Sequence, residues 1–291
     1  MLKTILVATD FSVAARRAVM RAALLAKESG ARLHVLHALP ERQLFDRLFG
    51  RNDIDHSAIA AGAQRALQIE LDAIRSHPGI EAQSLLREGA AQRVITAAAE
   101  EIGASLLVIG AHGEREPSQR ARMLGGTALK CFARTTLPLL LVRRDVVGNY
   151  YRILAAVDDS AGAIGVLAAV NEVGGSRSVC QAVHAFEAPF DARLRAHELK
   201  EATIAAYAAQ ERDKAERNLR SRLEGTRITP VVLRGNPAEV VAREVREREP
   251  DLIVIGKRRV LPDVDPDGRR YFGSVSLRVA FEADTDVLLV P

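Results

Sequence analysis

The chain has 291 residues, of which 48% are hydrophobic and 27% charged, so it is long enough for two globular domains of about 140 residues each. Its 41 Lys and Arg against 37 Asp and Glu leave a net charge of +4, the charges are interspersed, and aromatic residues are 4%, which argues against a nucleic-acid partner. No apolar run approaches the roughly 20 residues of a membrane span, and no signal segment is evident. We therefore expect a cytoplasmic protein without a membrane partner.

Short apolar runs alternate with helical periodicity through the first half of the chain. This alternation predicts an open, mostly parallel sheet with helices on both faces, and such sheets bind ligands beyond the carboxyl ends of their strands. The predicted strands are 3–9, 31–38, 80–86, 105–109 and 137–142. The predicted helices are 12–30, 56–76, 90–102 and a segment that follows Thr127.

A glycine loop follows the fourth predicted strand, which ends at Gly110. The loop passes through Gly113 to Gly126 and Thr127, where a helix begins. Gly110 and Gly113 can adopt positive φ and let the backbone approach a ligand, and Thr127 can cap a helix whose N-terminus favours an anion. This is a phosphate-binding layout, although it is neither a P-loop nor a dinucleotide fingerprint. A tight turn followed by an ordinary cap is the alternative.

The second half of the chain repeats the first. This repetition predicts a tandem duplication with domains at 1–144 and 151–291, each a doubly wound, mostly parallel five-stranded sheet flanked by helices. We expect the two to pack as a pseudo-twofold pair through their fifth strands, 139–142 and 287–290. The landmarks that recur 146 to 148 positions later are Asp10 as Asp158, His37 as His184, Gly110 as Gly256, Gly126 as Gly273, and Thr127 as Ser274.

These residues resemble those of the universal stress protein family, and the whole chain resembles its tandem two-domain type. The resemblance rests on Asp10 followed by Ser12, on the histidine-containing second strand, and on a glycine loop similar to the family's G-x2-G-x9-G-[ST] motif. It implies a Rossmann-like fold of the adenine nucleotide alpha-hydrolase-like type, and a site for ATP, with or without Mg²⁺. In the first domain the implied contacts are Asp10, Ala38, Gly110, His112, Gly113, Gly126 and Thr127.

The chain departs from this motif in both halves. Twelve residues rather than nine separate Gly113 from Gly126, and Leu129 replaces a small residue. In the second domain Arg259 stands at the position of the second glycine, which favours a structural remnant. The alternative is an anion surrounded by Lys257, Arg258, Arg269 and Arg270. The contacts that the resemblance implies in the second domain are Asp158, Gly256, Gly273, Ser274 and Ser276.

No residue pattern predicts a catalytic or metal centre. Cys131 and Cys180 lie in apolar segments and are interpreted as buried thiols. His37 and His184 are interpreted as sheet-packing residues, and Asp159 or Ser160 as a helix cap.

The sequence favours a stress-response regulator or sensor that binds ATP or another adenine nucleotide. The partners it implies are that nucleotide, unidentified proteins, and either a second copy in a homodimer or the chain's own second half. One alternative is a nucleotide-free interaction module of the same fold that docks partners on a long helix near 193–224. A slow ATPase or autophosphorylating enzyme is a further alternative.

Overall fold

The structure is a computed structural model, and it describes residues 2–41, 56–111, 124–187, 200–257 and 274–291. Within these ranges the helices are α1 (Val13–Ser29), α2 (His56–Arg75), α3 (Ala91–Glu101), α4 (Gly126–Arg134), α5 (Gly162–Val173), α6 (Glu201–Arg222), α7 (Pro237–Arg248) and α8 (Ser274–Glu282). The strands are β1 (Thr4–Ala8), β2 (Arg32–Leu39), β3 (Ala82–Glu88), β4 (Leu106–Gly110), β5 (Leu139–Val142), β6 (Arg152–Val157), β7 (Val179–Phe186), β8 (Ile228–Arg234), β9 (Leu252–Gly256) and β10 (Asp286–Val290).

The strands join in one sheet, in the order β3-β2-β1-β4-β5-β10-β9-β6-β7-β8. Each half is a parallel, doubly wound set of five strands, as predicted. The predicted contact between the fifth strands is confirmed, since β5 and β10 pair antiparallel with Leu140 opposite Leu288. The two predicted sheets are therefore continuous, because this pairing satisfies backbone groups that two separate edges would leave open.

Helices cover both faces of the sheet, and alternate strand side chains point to each face. The core on one face includes residues of α1, α2, α5 and α6, and the core on the other includes residues of α3, α4, α7 and α8. Both cores run across the joint, where Leu140 and Leu288 lie on one face and Leu141 and Leu289 on the other. In the described part of the chain, no helix combines the length and apolar character that crossing a membrane requires.

A buried polar cluster ties the link between the domains to both of them. Tyr150 donates a hydrogen bond from its hydroxyl to Asp286 Oδ2 at 2.7 Å, and the backbone N–H of Arg143 donates to Asp286 Oδ1 at 2.8 Å. The Arg21 guanidinium lies 3.9 Å from the centre of the Tyr150 ring, and its Nε lies 3.6 Å from Asp286 Oδ2. Burial and the neighbouring carboxylate of Asp286 raise the pKa of Tyr150 well above its ordinary value. The phenol therefore keeps the proton that it donates.

Candidate functional site

A cleft opens where the carboxyl ends of β1, β2 and β4 meet. Because β2 and β4 flank β1 on opposite sides, chain connections leave in opposite directions here, and such a switch point forms a crevice. The cleft has a volume of about 430 Å³. His112 and Gly113 lie outside the described residues. The other five contacts implied for the first domain all line the cleft: Asp10, Ala38, Gly110, Gly126 and Thr127.

Asp10 lies in a tight turn between β1 and α1. Its Oδ1 accepts a hydrogen bond from the Ser12 N–H at 3.0 Å, and Ser12 Oγ accepts one from the Ala15 N–H at 3.2 Å, which confirms Ser12 as the cap of α1. Phe11, between them, has a φ of 64°, a strained backbone conformation for a residue with a side chain. The second Asp10 oxygen has no hydrogen-bond partner among the described residues and is available to a ligand hydroxyl.

A set of side chains from β2 and α2 holds this turn in place. His37 Nδ1 lies 2.8 Å from the Thr9 carbonyl oxygen, and since a carbonyl only accepts, Nδ1 carries the proton. The His37 ring also packs on Phe11, with 4.5 Å between ring centres. Thr9 Oγ1 accepts from the Phe11 N–H at 3.1 Å and donates to Glu70 at 3.4 Å. His37 was predicted to pack in the sheet, and its bond to the turn was not predicted.

Glu70 is the titratable group of this set whose pKa is displaced. Burial raises the pKa of its carboxyl, and the charge of Asp10 acts in the same direction. The hydrogen bond from Thr9 and the charge of Arg16 act against that rise. One Glu70 oxygen, Oε2, is buried without a partner among the described residues. No sequence motif pointed to this residue.

Ala38 presents backbone groups to the cleft. The hydrogen bonds from β2 to β1 end at the Leu36 carbonyl, which accepts from the Thr9 N–H at 2.8 Å. In a parallel strand, alternate residues direct their N–H and C=O to the same neighbour, so both groups of Ala38 point past the end of β1. Neither has a hydrogen-bond partner in the described part of the chain. They form an adjacent donor and acceptor, and adenine offers the complementary pair.

The N-terminus of α4 forms the opposite end of the cleft. Gly125 is the N-cap and makes no side-chain bond to the helix, so the prediction that Thr127 caps it is wrong: Thr127 is the second residue of the helix. The N–H groups of Gly126, Thr127 and Ala128 have no acceptor among the described residues. A Cβ added at Gly126 would meet nothing within 4 Å, which leaves the backbone open to a ligand. Unpaired N–H groups at a helix start favour an anion.

Gly110 serves packing rather than a special backbone angle. Its φ is not positive, contrary to the prediction from sequence. A Cβ at Gly110 would lie 2.8 Å from the Ala14 carbonyl oxygen in α1, too close for any side chain. The glycine therefore allows α1 to pack closely on β4 at the base of the cleft.

The second domain repeats the turn with different chemistry. Asp158 Oδ1 accepts from the Ser160 N–H at 3.0 Å, and His184 Nδ1 lies 3.1 Å from the Val157 carbonyl oxygen, as their counterparts do in the first domain. Asp159 replaces Phe11, and its carboxylate lies 3.7 Å from His184 Nε2. The N-cap of α5 is Ala161, so the prediction that Asp159 or Ser160 caps this helix is wrong, because both belong to the turn before it.

Arg222 holds the second turn from α6. It donates to the carbonyl oxygens of Asp158 and Asp159 at 2.8 and 2.9 Å. In the first-domain turn the aromatic ring of Phe11 packs on His37 instead, so the two turns differ in charge.

The remaining second-domain candidates are only partly described. Gly256 is the last residue of β9. Ser274 is the first residue of α8, but the structure does not describe its side chain. Ser276 is buried, with 2% exposure. The anion ring predicted for Lys257 is wrong for that residue, because its Nζ donates to the Thr135 carbonyl in the first domain. Gly273, Arg258, Arg259, Arg269 and Arg270 lie outside the described residues.

The described residues show no group of three His, Cys, Asp or Glu side chains arranged to hold a metal ion. Cys131 is buried and Cys180 partly buried, and both are free thiols. Burial raises the pKa of Cys131 to about 12, so this thiol stays protonated.

Comparison with known proteins identifies a family that the chain matches. The model of the universal stress protein family matches residues 1–143 and 149–291. Universal stress protein G of Shigella flexneri is 30% identical over 130 residues, which are 44% of this chain and 87% of that protein. The protein of the same name from Escherichia coli O157:H7 matches to the same extent.

Solved structures agree over the full length. A universal stress protein from Archaeoglobus fulgidus aligns over 99% of this chain and 97% of its own, with a TM-score of 0.66 and 20% identity. A functionally unknown protein from Pseudomonas aeruginosa aligns over 99% of this chain and 92% of its own, with a TM-score of 0.65 and 18% identity. These structural matches support the two-domain fold.

Proposed function

The chain belongs to the universal stress protein family, and on that premise we propose that its first domain binds ATP or a related adenine nucleotide. In this proposal the protein is a stress-response regulator or sensor in the cytoplasm. The nucleotide stabilises one conformation of the chain. Partner proteins bind that conformation with a different affinity from the other conformations.

The proposal rests on backbone groups at the two ends of one cleft of about 430 Å³ that have no hydrogen-bond partner among the described residues. At one end, Ala38 offers a donor and an acceptor that match an adenine edge. At the other, the first N–H groups of α4, from Gly126 onward, favour phosphate oxygens. A ligand that satisfies both ends must combine a base and an anionic group, as a nucleotide does.

Asp10 lies between these ends and supports the proposal that the ribose of the nucleotide binds there. One of its oxygens accepts from the Ser12 N–H at 3.0 Å, and the other, which has no partner among the described residues, can accept a hydrogen bond from a ribose hydroxyl. Apolar side chains, including Leu36 and Ile95, line the cleft and suit the faces of a base.

We propose one nucleotide per chain. In the second domain, Asp159 replaces Phe11 and brings charge to the turn, and Ser276 is buried. Mg²⁺ would bind with the phosphates of the nucleotide, since the described residues provide no cluster of protein ligands for it. The paired domains would take the place of a homodimer.

The test is calorimetric titration of the full chain with ATP and Mg²⁺, beside the Gly126→Val variant. A Cβ added at Gly126 meets nothing within 4 Å in the ligand-free fold, and the methyl groups of valine extend from it into the space proposed for phosphate. We expect about one site in the wild type and loss of binding in the variant, with the unfolding midpoint nearly unchanged. Equal binding by both proteins would reject this site. Absence of binding in the wild type would favour the interaction module of the same fold.

A further inference from the structure

Two cationic side chains, a buried lysine and a half-buried arginine, cross the joint between the domains. Lys257, the first residue after β9, donates from Nζ to the carbonyl oxygen of Thr135, the C-cap of α4, at 2.8 Å. In the opposite direction, Arg143, the first residue after β5, donates from Nη2 to the carbonyl oxygen of Ala280 near the end of α8, at 2.5 Å. The last carbonyls of a helix lack partners within it and carry the negative end of its dipole, so a cation there stabilises the helix.

The helix that Lys257 caps is the one whose first N–H groups face the cleft. Helix α4 has only nine residues, and helices shorter than about 12 residues are marginal without tertiary contacts. Lys257 is itself 8% exposed, and its Nζ lies 5.2 Å from the centre of the fully buried Phe132 ring of α4. The second domain therefore supports both the last turn and the buried face of this helix.

The two ends of α4 are close. Nine residues span only about 13 Å, so fraying of the last turn leaves little more than one turn behind the N-terminus. The direction of the Gly126 and Thr127 N–H groups depends on that turn staying helical. A cap at the C-terminus thus controls how well the donors of the cleft are fixed.

From this geometry we infer that Lys257 of the second domain is a positioning residue for the nucleotide site of the first. The inference rests on the proposed function, because the site it positions is the one proposed there. The first-domain site is then complete only when the second domain is packed against it. This gives the second domain a role in binding that does not require a nucleotide of its own.

The test replaces Lys257 with Met, which retains an apolar stem and lacks the donor. We expect Lys257→Met to weaken ATP binding by about tenfold, within the usual range of coupling between sites. Lys257→Arg, which keeps the charge and the donors, should recover most of the affinity. The measurement is calorimetric titration of the full chain with ATP, at a temperature where every variant is folded by circular dichroism.

The control is Arg143→Met, which removes the reciprocal contact on α8 and leaves the contact on α4 in place. Its affinity for ATP should stay within about twofold of the wild type, because this contact caps α8 and not the helix whose N-terminus faces the cleft. Unchanged affinity in Lys257→Met, or the same loss in both variants, would overturn the inference.

A second readout separates this inference from the proposed function. If the wild type does not bind ATP, the proposed function fails, and amide hydrogen exchange of residues 126–134 without ligand then decides the role of Lys257. Faster exchange there in Lys257→Met, but not in Arg143→Met, supports the step on which the inference rests, that Lys257 fixes α4. Identical exchange in the two variants contradicts it.

Discussion

At the scale of single residues, the two domains share backbone contacts and differ in the side chains around them. His37 and His184 each bond the backbone of the turn beside them, and Asp10 and Asp158 each accept from the N–H two residues on. Phe11 stacks on the first histidine, whereas its counterpart is an aspartate. The two domains therefore repeat the same backbone hydrogen bonds but differ in the chemistry of the side chains around them.

Glu70 gives a prediction for the pH dependence of stability. Because burial raises its pKa in the folded chain, the folded state binds this proton more tightly than the unfolded state. The stability that protonated Glu70 contributes is thus fully present below the ordinary pKa of glutamate. It is lost as the pH rises through the pKa that Glu70 has in the folded state. Glu70→Gln should be more stable than the wild type at neutral pH, and the difference should vanish near about pH 4. Urea unfolding at both pH values measures this.

A wild type that is the more stable protein at neutral pH would show that the interactions of the charge with Thr9 and Arg16 outweigh its burial. The Glu70→Gln comparison is suited to this question because the amide keeps the size of the side chain and can still accept the hydrogen bond from Thr9.

Part of this residue-scale picture could be predicted from sequence. Asp10, Ala38 and Gly126 were named from the resemblance to the universal stress protein family, and the structure brings them together at one cleft. Glu70 was not named, because its contact with Thr9 joins residues 61 positions apart and leaves no local pattern.

At the scale of elements, one glycine allows a helix to pack against the sheet at the cleft. Gly110 and Gly256 end the equivalent strands β4 and β9, yet only Gly110 faces a helix backbone at 2.8 Å. At Gly256 an added Cβ would meet the Val166 side chain at an ordinary 3.7 Å. The α1–β4 contact is therefore closer than the α5–β9 contact.

Gly110→Ala should lower the free energy of unfolding by about 1–3 kcal/mol, the usual cost of overpacking. Gly256→Ala is its matched control and should leave stability nearly unchanged. Denaturant unfolding of both variants measures the difference. Equal effects would show that α1 shifts to accommodate the methyl group.

Element types and order follow from periodicity, and most were predicted. Helix starts were harder: Thr127 and Ser160 are good cap residues by type, but the helices begin at neighbouring positions that suit the entering backbone. The third strand was predicted at 80–86 and lies at Ala82–Glu88, because its pairing with β2 sets its register.

At the scale of the whole molecule, the two domains form one continuous sheet, and the buried carboxylate of Asp286 lies at the joint between them. Asp286 accepts from Tyr150 and from the backbone N–H groups of Arg143 and Arg144, and its side chain is fully buried. Contact between the fifth strands was predicted from the duplication. The cluster around Asp286 was not, because it occurs once and breaks the symmetry of the repeat.

Asp286→Ala should lower the free energy of unfolding by about 3–5 kcal/mol, since it leaves buried partners unsatisfied. The control is Asp145→Ala, which removes the exposed ion pair with Arg17 and should change stability by less than about 0.5 kcal/mol. Thermal and urea unfolding measure both. A loss of less than about 1 kcal/mol in Asp286→Ala would show that the cluster contributes little to joining the domains.

The most direct test of the central claim, that the first domain holds the nucleotide, is titration of Asp10→Ala and Asp158→Ala with ATP. Both substitutions remove the bond from the N–H two residues on within equivalent turns. Asp158 also accepts from the Ser160 hydroxyl, so thermal unfolding of both variants accompanies the titration. The account predicts that Asp10→Ala weakens binding at least about tenfold, the value of a hydrogen bond to a charged group, while Asp158→Ala binds like the wild type. The reverse order, or equal affinities, would contradict it.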